Sequence, residues 1–126
     1  MDANECAKAF AERFPEKKRL LDAHRKDYGG LLAHIFFTEA LSEELVRLLK
    51  RNEREDLIRK YCCFVEEMCF QGDPVVRGVV DMSVLDDLSG DREVWQNFGT
   101  HISDKFRDYI NDEVLKHYGV MAAKKL

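Results

Sequence analysis

The chain has 126 residues, two prolines and a formal net charge of −4, with 45% apolar and 35% charged residues. That length suits a single domain (1–126) able to bury a core without disulfide or metal, and the apolar share excludes a disordered chain. No apolar run approaches the ~20 residues of a membrane helix, and residues 1–14 lack the apolar stretch of a signal peptide, so a cytoplasmic protein is expected.

Asp2 and Glu5 have capping-box spacing and open a first helix over about 3–13, with Cys6, Ala7, Phe10 and Phe14 on one face. Pro15 begins a second helix, about 15–28, which Gly29-Gly30 stops. Its surface is basic: Lys17, Lys18, Arg19, Arg25 and Lys26. Leu31–Arg51 reads as one long helix with a kink expected near Thr38; Leu32, Ile35, Phe36, Leu41, Leu45, Leu48 and Leu49 are its apolar positions. Asn52 and Glu55 suggest another capping box. The helix that follows, about 55–71, has the clearest periodicity of the chain, at Ile58, Tyr61, Cys62, Val65, Met68 and Cys69.

Gly72-Asp73-Pro74 is a helix-to-helix turn: Gly for a positive φ, Asp as cap, Pro in the first turn. Helix 74–88 then carries Val75, Val76, Val79, Val80, Met82, Val84, Leu85 and Leu88, a pattern that leaves only a narrow polar strip and predicts a helix buried on most sides. Its valines also suit strands, but the start signal, the length and the Asp73, Arg77, Asp81 spacing favour helix. Asp91 caps a short helix holding Trp95 and Phe98. Thr100 caps a last one, about 101–117, with Ile102, Phe106, Tyr109, Ile110 and Val114 inward; Gly119 ends it, and 119–126 is expected to fray. The fold class is all-α, six to seven helices in an antiparallel bundle or HEAT-like array.

The motifs of catalysis are missing. His24, His34, His101 and His117 form no H-E-x-x-H or Glu-x-x-His, and Cys6, Cys62, Cys63 and Cys69 form no C-x-x-C. Without an export signal the cysteines are expected as free thiols, three of them mid-helix hydrophobes. The four serines lie outside any G-x-S-x-G, and no glycine-rich loop precedes a helix in a phosphate-cradling pattern. The expectation is a non-enzyme with no catalytic residues, cofactor or metal.

Charge is uneven along the chain. Residues 13–60 hold twelve Lys/Arg against nine Asp/Glu, while 61–104 hold two against nine, a balance of −7. An acidic half repels phosphates and so argues against nucleic acid; it suits a basic protein partner. Glu66-Glu67 and Asp86-Asp87 lie near helix C-termini, where the helix dipole disfavours negative charge. Glu66, Glu67, Asp81, Asp86 and Asp87 are the candidate partner-binding residues, weighed against an ordinary solvated face.

Three stretches carry a family resemblance: Leu31-Leu32-Ala33-His34-Ile35-Phe36, Phe64-Val65-Glu66-Glu67, and Gly72-Asp73 running into Val79-Val80-Asp81-Met82-Ser83-Val84-Leu85-Asp86. Over roughly residues 10–115 the chain resembles an uncharacterised bacterial family of small all-helical, HEAT-like proteins. The family's last stretch reads Ser-Phe-Leu-Glu where this chain has Ser83-Val84-Leu85-Asp86. The resemblance implies an immunity protein that neutralises a toxin by direct binding, with a basic toxin domain as the partner. The alternative is a helical-repeat adaptor or regulator with another protein partner, and a small enzyme comes last.

Overall fold

The structure is a computed structural model describing residues 1–115, 125 and 126. Among these residues there are seven helices and no strand. Helix α1 (Ala3–Arg13) starts from the expected capping box: Asp2 Oδ1 accepts from the Glu5 N–H at 2.8 Å, and Glu5 Oε1 accepts from the Asp2 N–H at 3.2 Å. A 3₁₀ turn, Pro15–Lys17, leads into α2 (Lys18–Tyr28), which ends at Gly29 in the left-handed region, φ 70°. Helix α3 spans 33–51, α4 is Glu55–Gln71, α5 spans 74–89, α6 is Arg92–Gly99, and α7 runs from Asp104 to the last described residue of that stretch, Leu115.

Three helices contain a π-helical segment: Thr38–Ser42 in α3, Val80–Val84 in α5 and Ile110–Val114 in α7. The first of these begins at Thr38, near the position where the sequence suggests a kink. The wider π turn admits consecutive residues to the interior. Ala40, Leu41 and Ser42 are all buried, and so are Val79, Val80 and Asp81.

Several boundaries differ from the sequence reading. Asn52 does not cap α4. It ends α3 in a left-handed conformation, φ 53°, with its N–H on Leu48 O at 2.9 Å, and α4 starts after Arg54 without a side-chain cap. Thr100 does not cap α7 either; its hydroxyl donates to Asn97 O, and Ser103 is the cap, accepting from the Phe106 N–H at 3.1 Å. Gly72 has an ordinary φ of −75°. It is needed for space: a Cβ there would overlap Met68 O and the Val76 side chain. Helix 74–88 is less enclosed than its composition suggests, because Val75 and Met82 stay 56% and 61% exposed. Leu32 and Ile35 are exposed as well. The expected end at Gly119 and most of the tail lie outside the described residues. Leu126, expected to fray, is tied to Asn111.

Packing follows from the short turns. Ala33–Phe37 lies against Pro74–Val79, Thr38–Ser42 against Val80–Val84, and Glu43–Arg51 against Leu85–Ser89. Helices α3 and α5 are therefore parallel and in register, with α4 joining them as the antiparallel return, so two π segments meet at mid-height. One aromatic cluster centres on Phe10, whose ring meets those of Phe14, Phe36, Phe37, Tyr61 and Phe64 at 5.1–6.4 Å. A second joins Phe70, Trp95, Phe98, Phe106 and Tyr109 across α4, α6 and α7. Lys50 holds α6 to the end of α3 through Asp91 and Glu93, at 3.0 and 3.1 Å.

Candidate functional site: an acidic face between α3 and α5

The register of α3 and α5 brings Glu43 beside Asp87, whose chain neighbour is Asp86. Thr38, Glu43, Val46, Arg47 and Asp87 line a shallow open depression of about 370 Å³. Burial lifts the Asp87 carboxyl above its ordinary range, and the like charges of Asp86 and Glu43 lift it further. Arg47, which lines the same depression, pairs with Glu44 one turn back on its own helix and also feels the charge of Glu43.

Beneath this face lies Ser42, wholly buried, whose Oγ makes no hydrogen bond. The hydroxyl is close enough to Asp87 to favour its charged form, yet outside hydrogen-bond geometry. Both features follow from the π segment, which turns Ser42 inward and leaves Glu43 as the next residue out. A buried hydroxyl without a partner is costly, and the like charges of Asp86, Glu43 and Asp87 repel one another even with Arg47 in the same depression. A cationic group docked between the acids would relieve the repulsion.

The five carboxylates singled out by sequence do not share one surface. Glu67 pairs with Arg13 of α1 at 2.7 Å, both side chains 37% exposed. Glu66 points to α7, accepting from the Ser103 hydroxyl at 2.6 Å and so steadying that helix cap. The divergence is that of adjacent residues on a helix, about 100° apart. Asp81 is only 8% exposed and accepts from the Tyr109 hydroxyl at 3.0 Å, with Arg77 close enough to favour its charge. It is an interior group, placed there by the second π segment. Only Asp86 and Asp87 stand together, and Glu43 and Ser42, which sequence reasoning missed, complete their site. No signal within residues 38–43 marks them; the pairing exists only once α3 and α5 are packed.

Other reactive groups are dispersed. Cys6, Cys62 and Cys69 are buried, their thiols pushed up to about 12 by burial, and Cys63 is exposed. His24 is buried and its Nε2 accepts from the Leu32 N–H at 3.0 Å; His34 Nδ1 lies 2.6 Å from Ser83 Oγ; His101 Nδ1 lies 2.8 Å from Asn97 O. Among the described residues no group of three or more His, Cys, Asp or Glu could hold a metal ion. No helix among them is long and apolar enough to cross a membrane.

No curated protein and no solved structure gives a significant match to the chain. A family model does match, over residues 7–119, which takes in most of α1 and, among the described residues, all of α2 to α7. The chain accordingly belongs to the family described as "Domain of unknown function (DUF7674)".

Proposed function

We propose that this protein is a protein-binding module, and that it acts as an immunity protein: it neutralises a basic toxin domain by covering that domain's active or docking surface. The observation that carries the reading is the gathering of like charges at Asp87, raised by burial, by Asp86 and by Glu43 across the α3–α5 groove, where no carboxylate of the three forms an ion pair among the described residues. Toxins that attack nucleic acid tend to be basic, and opposite charge steers association well above the neutral rate of roughly 10⁵–10⁶ M⁻¹s⁻¹. Half-buried Glu67 and Glu66 extend the same sign at a distance, although each already has an internal partner.

Affinity capture from the native host, with wild type and with the variant Glu43→Lys/Asp86→Lys/Asp87→Lys side by side, tests this reading. The expected result is a basic protein retained by the wild type and lost by the folded variant, with an on-rate reduced about tenfold and a flattened salt dependence in surface plasmon resonance. Equal retention by both would overturn the acidic face. Expression of the captured protein alone should arrest growth and co-expression of this chain should relieve the arrest. Capture without such relief would favour the adaptor or regulator over the immunity protein.

A further inference from the structure

Leu126 is held against the body of the protein in a specific manner. The Asn111 side chain clamps its main chain at two points: Nδ2–H donates to Leu126 O at 3.1 Å, and Oδ1 accepts from the Leu126 N–H at 2.8 Å. This is how one strand holds the next, performed here by a single amide side chain. The leucine side chain lies on Gly99, at the end of α6, where a Cβ would come within 3.1 Å of Leu126 Cδ2. The absent side chain at residue 99 is therefore the space the leucine uses. Arg107 fixes that stretch of backbone, donating to Gly99 O at 2.7 Å.

The groove is larger than this resident needs. Beside Leu126 a cavity of about 600 Å³ remains, lined among others by Arg92, Trp95, Gln96 and Arg107. That volume is within the usual range of roughly 300–1,000 Å³ for binding sites. Among the described residues the charged side chains that line it are all cationic: Arg92, Arg107 and Lys125. Arg107 also has Asp104 at its outer side, whereas Arg92 and Lys125 form no ion pair among the described residues. Lys125, next to the resident leucine, thus brings a third positive charge to a rim that already holds two. It has Asp112 and Glu113 on its far side, lining the neighbouring depression.

We propose that the groove between α6 and α7 is a docking slot for a partner protein's segment in which a leucine adjoins a carboxylate, and that Leu126 occupies the slot in cis until such a segment displaces it. The incoming leucine takes the place over Gly99, its main chain takes the Asn111 clamp, and its carboxylate meets Arg92 and Arg107. Main-chain recognition gives affinity that depends little on sequence; the leucine and the acid give selectivity. The slot is separate from the acidic face and has the opposite charge.

Trp95 is the chain's single tryptophan and lines the cavity, so its fluorescence reports the slot directly. The test titrates the full chain with the blocked peptide Gly-Glu-Leu-Glu-Gly, in wild type and in Leu126→Ser. Saturable binding about tenfold tighter in Leu126→Ser is expected, because the resident competitor is gone. Adding Asn111→Ala or the isosteric Asn111→Asp to Leu126→Ser should weaken binding about tenfold, as two hydrogen bonds are lost or one is lost and a repulsive charge gained. Circular dichroism identifies whichever of the two variants keeps its fold. Gly-Glu-Ala-Glu-Gly and Gly-Lys-Leu-Lys-Gly should bind more weakly than the first peptide. The proposal is overturned by equal affinity in wild type and Leu126→Ser, by no saturation in Leu126→Ser, or by indifference of a folded Asn111 variant. Tighter binding of the lysine peptide would overturn the carboxylate requirement. Concentration-dependent dimers of Leu126→Ser in sedimentation would assign the slot to a second copy of the chain instead. The Glu43, Asp86 and Asp87 reversals should leave this binding unchanged, which separates failure of the slot from failure of the acidic face.

Discussion

Asp81 shows how much a single position can depend on its surroundings. Burial raises its carboxyl above the ordinary 3.8, while the Tyr109 hydroxyl and Arg77 pull in the opposite direction without cancelling the rise. A folded-state pKa above the unfolded one means that the native protein holds the proton more tightly. The stability from that group is full below the unfolded value and is lost as pH rises through the raised one. Asp81→Asn keeps an acceptor for Tyr109 and removes the buried charge. The variant should therefore melt higher than wild type at neutral pH, with the difference closing as pH falls through the carboxylate range; thermal melts across pH decide it, and a constant difference would contradict the assignment. Gly78 makes the converse case. It lies within α5 in helical conformation, and a Cβ there would meet nothing within 4 Å. Gly78→Ala should stabilise the protein by about 0.5–1 kcal/mol, measured by urea unfolding, because alanine loses less backbone entropy on entering a helix.

At the scale of elements, α5 is the link between the others. It turns back from α4, runs in register beside α3 and receives Tyr109 of α7 at Asp81. Its inner residues Val76, Val79, Val80, Val84, Leu85 and Leu88 are all buried, although Val75 and Met82 are not. Val79→Asp should cost about 3–5 kcal/mol, since an unpaired charge would enter the core, whereas Met82→Asp should stay within about 0.5 kcal/mol of wild type. Denaturant titration of the pair checks the direction of each face of α5. The helical pattern of this element was legible in its residues: Asp73 does cap it, accepting from the Val76 N–H at 2.9 Å, and Pro74 is its first residue. Its π segment was not. The period of apolar residues carries no mark of where a helix widens by one residue per turn, so Asp81 read as a surface acid beside Asp86 and Asp87.

Over the whole molecule, stability rests on two aromatic clusters and an aliphatic interior, with four free cysteines taking no part in crosslinks. Reductant and chelators should leave the melting temperature unchanged. In a native thiol titration Cys63 alone should react fast, and Cys6, Cys62 and Cys69 only on unfolding, because the thiolate is the reactive form and burial suppresses it. Two or more fast thiols would show that the interior opens far more readily than its packing indicates.

Helix existence, most helix limits, the free thiols and the sense of the charge asymmetry were all determined by the sequence, because caps, turn residues and apolar spacing act within a few residues of one another. Tertiary structure decided what those helices bring together. Glu43 meets Asp87 only because α3 and α5 run parallel and in register. Glu66 and Glu67, neighbours in the chain, part company to serve α7 and α1. Asn111 can hold Leu126 only because the backbone reaches Gly99, where no side chain fills the space. Each of these sites depends on groups distant in the chain whose approach is set by packing, and local residue patterns do not encode the partner across the interface.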